Sequence, residues 1–172
     1  SKTALAEAEV EYQSFKTEHV YVKFAFDALP NDLSEKARGR DPYVGIWTTT
    51  PWTLPANLAI ALNPDLEYEL VAVDDEVYVM AQGLRDRVLE DCDITDFDIV
   101  ATFEGRELVG ELGEGKGYEA DHPWLDRKSV LLPADYVTLD QGTGCVHTAP
   151  GHGQEDFALG QQFDLDVLCP VD

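Results

Sequence analysis

Basic residues are scarce in this chain for its size. Against 34 Asp and Glu stand 12 Lys and Arg, a formal net charge of −22 over 172 residues. Phosphate contacts supply much of the affinity of nucleic-acid-binding domains, so this balance argues against autonomous, tight binding of a polynucleotide. Lys36, Arg38 and Arg40, with Lys116, Arg127 and Lys128 further on, are too scattered to make a basic face and read as solvated surface. Cysteine is scarce too. Cys92, Cys145 and Cys169 are odd in number and widely spaced, which argues against a disulfide framework and for a reducing, cytoplasmic setting. No run of about 18 apolar residues exists, so neither a transmembrane helix nor a membrane partner is expected. The early acidic residues are unlike a secretory leader.

Several reaction signatures are missing as well. Without a Gly-x-Ser-x-Gly elbow, a serine esterase is not supported. Gly113-Glu-Gly-Lys-Gly117 is glycine-rich but lacks the spacing and the Lys-Ser/Thr of a phosphate loop. Cys145, His147 and His152 lack a Cys-x-x-Cys pair and a fourth ligand at usual spacing, so no structural metal is expected. Asp91, Asp93, Asp96 and Asp98 lack the central glycine and terminal glutamate of a calcium loop and read as a polar turn. Cys145, two residues before His147 on the same expected strand, is a candidate thiol nucleophile on paper, although the shared face guarantees no bonding distance. No cofactor is implied.

What is present is an ordinary soluble composition, 44% hydrophobic and 10% aromatic, in one domain spanning residues 1–172 with 1–18 as a linker or helical extension. Period-two alternation predicts a strand over Val20 to Phe26 and others over Tyr43 to Thr49, Leu58 to Leu62, and Leu66 to Val73. Asp74-Asp75 predicts a hairpin turn into Glu76 to Ala81, and Leu84, Val88 and Leu89 mark a short amphipathic helix. Further short strands are expected at Ile99 to Phe103, Val130 to Leu132, Tyr136 to Leu139 and Gly144 to Ala149. Leu29 to Arg40 reads as a loop with one helical turn, Glu104-Gly105 as a turn, Glu111 to Asp126 as a loop or hairpin, and Gln154 to Phe163 as helical. Many short strands with few helices predict a mixed α/β, β-rich fold: a barrel-like core decorated by a few short helices.

Two stretches stand out. Trp47-Thr-Thr-Thr-Pro-Trp-Thr-Leu-Pro-Ala-Asn57 puts three hydroxyls beside a proline-fixed bend, with a turn expected at Pro55. On an extended backbone Thr48 and Thr50 should share one face and Thr49 the other. Threonine is also a good strand residue, and that reading stays open. The second stretch runs from Gly142-Thr-Gly-Cys-Val-His147 to Asp156. On spacing alone His147 reads equally as a packed core histidine, and Asp156 as a charge at a helix start.

Together the two stretches resemble the editing domain of isoleucyl-tRNA synthetases, over nearly the whole chain. Ala4 to Tyr12 is similar to the segment by which that insertion leaves the catalytic domain, and Asn57 and Asp156 fall at the family's spacing. Related editing domains for valine and leucine carry Thr-Thr-Arg-Pro where this chain has Thr48-Thr-Thr-Pro51, so Thr50 and Trp52 point to the isoleucine branch. The resemblance implies hydrolysis, by a positioned water, of tRNA for isoleucine wrongly charged with valine. It assigns Thr48, Thr49, Thr50, His147 and Asp156 to catalysis, and Trp47, Trp52, Asn57, His147 and Asp156 to substrate binding. The implied partners are the 3′ aminoacyl-adenosine end of the tRNA and the rest of a synthetase chain, with no metal. His-Ile-Gly-His and Lys-Met-Ser-Lys-Ser signatures are missing, so amino-acid activation is not expected of this segment. Two rivals stand beside this reading: a catalytically silent binder of the tRNA acceptor end, and an unrelated acidic binding barrel.

Overall fold

In the structure, a computed structural model, residues 19–149 are described. The expected linker at 1–18, the expected helix at 154–163, and His152, Asp156 and Cys169 lie outside the described residues. The described elements run β1 (Val20–Phe26), α1 (Asn31–Ala37), β2 (Asp41–Thr48), a 3₁₀ helix (Pro51–Ala56), β3 (Ala59–Leu62), β4 (Glu67–Val73) and β5 (Glu76–Ala81). Then come a 3₁₀ turn (Gln82–Leu84), α2 (Arg85–Asp91), β6 (Asp98–Glu104), α3 (Arg106–Val109), β7 (Glu119–Asp121), β8 (Lys128–Pro133) and β9 (Cys145–Thr148).

The strands form one nine-stranded sheet in the order β6-β4-β5-β2-β1-β7-β8-β3-β9. Two contacts in it are parallel, β2 with β5 and β3 with β8. Alternation sorts the side chains as expected. Val20, Val22 and Phe24 enter the main core, while Tyr21 faces the other side with Tyr78, Met80 and α2's Val88 and Leu89. β5 is buried on both faces, which is why Glu76 to Ala81 reads as an almost unbroken apolar run. Ile60 and Leu62 of β3 are fully enclosed, each stabilising the fold by about 1.5–3 kcal/mol of apolar burial.

The sheet curls until the approach to β9 lies over β2 and β5. There Ala81 N–H donates to Thr143 O at 2.7 Å and Thr143 Oγ1 donates to Gly45 O at 2.6 Å. Barrel-like closure on this side therefore rests on a loop and one hydroxyl instead of a continuous ladder. Gly144 makes the approach possible: at φ +84° a Cβ there would lie 2.5 Å from Ala81 Cβ.

The structure departs from expectation in four places. Leu29 to Arg40 holds the seven-residue helix α1, because Leu33 and Ala37, four apart, give its charged sequence one apolar edge to bury. α1 ends at Arg38, left-handed at φ 56°. Tyr136 to Leu139 forms no strand. Its apolar Val137 packs beside Leu132 and Ala134, and its carbonyl accepts from Asn63 Nδ2 at 2.9 Å instead of joining a ladder. Beyond Glu104, Gly105 leads into the one-turn helix α3, not a simple turn. The expected bend at Pro55 is the 3₁₀ helix, whose prolines at 51 and 55 lack the N–H groups that a strand would donate.

Candidate functional site

β2 delivers the threonines. Thr48 is buried at the strand's end, Thr49 is exposed, and Thr50 N–H donates to Thr48 Oγ1 at 3.0 Å. The hydroxyls of Thr48 and Thr50 lie 3.3 Å apart, so these two share a side as the alternation requires. Pro51 then starts the 3₁₀ helix, with Leu54 fully buried as its anchor. Within it Thr53 donates twice to Thr50 O, from N–H at 3.0 Å and from Oγ1 at 2.8 Å.

β9 delivers His147, opposite Ile60 of β3 and only 8% exposed. Asn57 Nδ2 lies 2.8 Å from its Nδ1, and Thr53 Oγ1 lies 2.8 Å from its Nε2. The direction of these bonds follows from their ends. Asn57 Nδ2 also donates to Ala59 O at 3.1 Å, which identifies that atom as the nitrogen and makes His147 Nδ1 an acceptor. With Nδ1 accepting, Nε2 carries the ring proton and donates to Thr53 Oγ1, whose own proton goes to Thr50 O. One directed chain, Asn57 to His147 to Thr53 to Thr50, fixes the ring's tautomer and rotation.

Around these groups opens a cleft of about 500 Å³. Of the residues expected from sequence, Trp47, Thr48, Thr49, Thr50, Trp52 and His147 line it. Trp52 is 73% exposed at the mouth, and Gly142 sits against Trp47, where a Cβ would lie 3.3 Å from the indole. Asn57 does not line the cleft. It is 0% exposed and reaches the site through His147, which places it behind the expected substrate contacts. Asp156 lies outside the described residues. Sequence reading missed Thr53 and the wall from Tyr136 to Thr143. Thr53 sat in view within the threonine-rich stretch, but its partner is 94 positions away.

Among the described residues no carboxylate, Lys or Arg lines this cleft, in a protein of net charge −22. Cys145 is 1% exposed, and burial pushes its thiol well above the ordinary range, so it is not a ready thiolate. No three His, Cys, Asp or Glu gather as a metal site among the described residues. Hydroxyl, amide and imidazole groups are the chemistry that the described residues offer here.

The fold is that of known editing domains. The editing domain of the P. knowlesi cytosolic leucyl-tRNA synthetase superposes with a TM-score of 0.65 at 14% identity, over 85% of this chain and 62% of that one. The P. falciparum counterpart gives 0.55 at 15% identity, over 90% and 58%. The family model "Leucyl-tRNA synthetase, editing domain" matches residues 99–171. In sequence the chain is 49% identical to an isoleucine–tRNA ligase of Petrotoga mobilis across 99% of its length, and 48% identical to that of Brevibacillus brevis across 100%. It spans 17% of each of these relatives. The chain belongs to the family of aminoacyl-tRNA synthetase editing domains, in the branch of the isoleucine ligases.

Proposed function

We propose that this domain hydrolyses the ester of valine wrongly attached to tRNA for isoleucine, by a positioned water, and rejects the isoleucyl ester by size. A single observation carries the proposal: a cleft with no charged side chain among its described residues, walled by Thr48, Thr49, Thr50 and an imidazole held on both ring nitrogens. An aminoacyl ester is already activated, helped by the neighbouring ribose hydroxyl. The protein need only hold ester and water in attacking geometry and support the developing oxyanion. The threonine hydroxyls both donate and accept, which suits the terminal ribose and the water. Trp47 and Trp52 offer flat apolar surface at the cleft for the terminal adenosine.

His147 acts as a wall in this reading. Its Nδ1 already accepts from Asn57 and its Nε2–H already donates to Thr53, so abstracting a proton from water would first require breaking one of these bonds. Asp156, by the family resemblance, supplies the carboxylate that pairs with the substrate's ammonium. The need for such a site is a matter of magnitude. One methylene in an apolar pocket is worth only about 1–3 kcal/mol, a borrowed figure for which isoleucine-against-valine selection is itself the standard case. A smaller second pocket corrects what the first cannot exclude. The acidity of the domain fits a division of labour in which the body of the tRNA is held elsewhere in the longer chain. The test is hydrolysis of Val-tRNA against Ile-tRNA by this chain, alone and within the whole ligase. Selective loss of valine supports the reading, and binding without hydrolysis in both settings contradicts it.

A further inference from the structure

The 3₁₀ helix that carries Thr53 has an awkward end. Leu54 O accepts one backbone bond, from Asn57 N–H at 3.0 Å, and the following carbonyl belongs to Pro55. Both carbonyls are taken by side chains from the loop between β7 and β8. His122 Nε2 lies 2.8 Å from Leu54 O, and Arg127 Nη1 donates to Pro55 O at 2.9 Å. A carbonyl only accepts, so His122 must carry its proton on Nε2. Its Nδ1 then accepts from the backbone N–H groups of Trp124 at 3.2 Å and Leu125 at 3.0 Å. The ring is 4% exposed, with Trp124 set edge-on at 4.6 Å and Phe24 at 5.9 Å. One neutral imidazole thus ties its own loop into a turn and fastens the cleft's floor to it.

We propose that His122, seconded by Arg127, is a positioning residue for the cleft: its neutral Nε2–H form sets the 3₁₀ helix so that Thr53 meets both Thr50 and His147. This rests on the deacylase reading for its kinetic consequences and on geometry alone for the rest. His122 touches no substrate group and acts through Leu54 and Thr53.

Protonation of Nδ1 would turn an acceptor of two N–H groups into a donor facing them, so the clamp works only while the ring is neutral. Burial first, and then the positive charge of Arg127, lower the ring's affinity for a proton, outweighing the opposing bond to Leu54 O. The other titratable groups around it are Asp126 from its loop, Asp121 at the end of β7, Lys128 at the start of β8, Lys23 from β1 and Tyr43 from β2. Lys128 is held by Asp27 and Asp121, and Lys23 by Glu76. The 3₁₀ helix, Pro-Trp-Thr-Leu-Pro-Ala, brings no charge. The folded ring therefore stays neutral somewhat below the ordinary histidine value of 6.5, and the clamp is lost only at lower pH.

Two substitutions separate the ring's two jobs. His122→Gln keeps a donor at the Nε2 position for Leu54 O and does not titrate. His122→Asn keeps an acceptor for the loop's N–H groups but falls short of Leu54 O. Valyl-ester hydrolysis by the two variants and the parent is followed from pH 5 to 8, alongside amide NMR spectra. The expected result is an acid limb in the parent that disappears in His122→Gln. In His122→Asn, kcat should fall about fivefold at pH 7.5 with KM little changed, and the amides of Thr50 and Thr53 should shift. Unmoved Thr50 and Thr53 amides in folded His122→Asn, or an acid limb persisting unchanged in His122→Gln, would overturn the proposal. An inactive parent would count against the deacylase reading instead, leaving the amide shifts to decide this one.

Discussion

Along the cleft the polar side chains among the described residues are hydroxyls, indoles, an amide, a thiol and an imidazole, whereas the face of the same sheet under α2 sets ion pairs into an apolar layer. There Glu76 takes both Lys23 and the hydroxyl of Tyr78, and Glu69 holds Arg85 through two bonds at 2.9 and 3.1 Å. The two regions solve the same problem of burying polar groups differently. On the ion-paired face, unlike charges neutralise each other locally. In the cleft, neutral groups are ordered by the direction of their hydrogen bonds, and any carboxylate must come from outside the described residues. A substrate bearing one ammonium beside a neutral ester suits such a site better than it suits a charged groove.

The contrast can be broken most severely at the closure between the two regions. Gly144→Ala puts a Cβ against Ala81 in a backbone conformation that alanine disfavours. It should destabilise by about 2–4 kcal/mol, read as a shift in denaturant midpoint. Next is the charge the cleft is expected to borrow. Asp156→Asn keeps the shape, removes the partner of the ammonium, and should slow Val-tRNA deacylation about ten- to a hundredfold. An unchanged rate would reduce Asp156 to a helix-terminus charge.

On the ion-paired face the effects should be thermodynamic only. Glu69→Ala leaves Arg85, partly solvated, without its main carboxylate, and should cost about 1–2 kcal/mol of stability with deacylation untouched. Smallest of all is Arg106→Ala. Arg106 reaches Asp65, Glu104 and Glu111 in the open, so the melting temperature should barely move, and any difference should vanish at high salt.

How much of this was legible beforehand follows the range of the interactions. Alternation along Val20 to Phe26, the apolar run of Glu76 to Ala81, the Asp74 turn and the shared side of Thr48 and Thr50 are local, and local pattern reports them. The lock on His147 is not, because Asn57 is 90 positions away and only the antiparallel pairing of β3 with β9 brings them together. His122 and Arg127 were hidden for the same reason: in sequence they sit in a polar loop, with one nearby cation after another reading as surface. Arg127 instead donates to Pro55 O, and Lys128 holds Asp27 and Asp121. A cluster of hydroxyls shows in one dimension, but the direction of its hydrogen bonds does not.

The central claim is that His147 discriminates by bulk while its nitrogens are occupied. The most direct measurement is the pair of deacylation rates of His147→Ala, on Val-tRNA and on Ile-tRNA under one set of conditions. The account predicts that correctly charged Ile-tRNA is now hydrolysed, rising about tenfold or more, while Val-tRNA remains a substrate. Collapse of Val-tRNA hydrolysis with Ile-tRNA left intact would contradict it and make His147 a catalytic base.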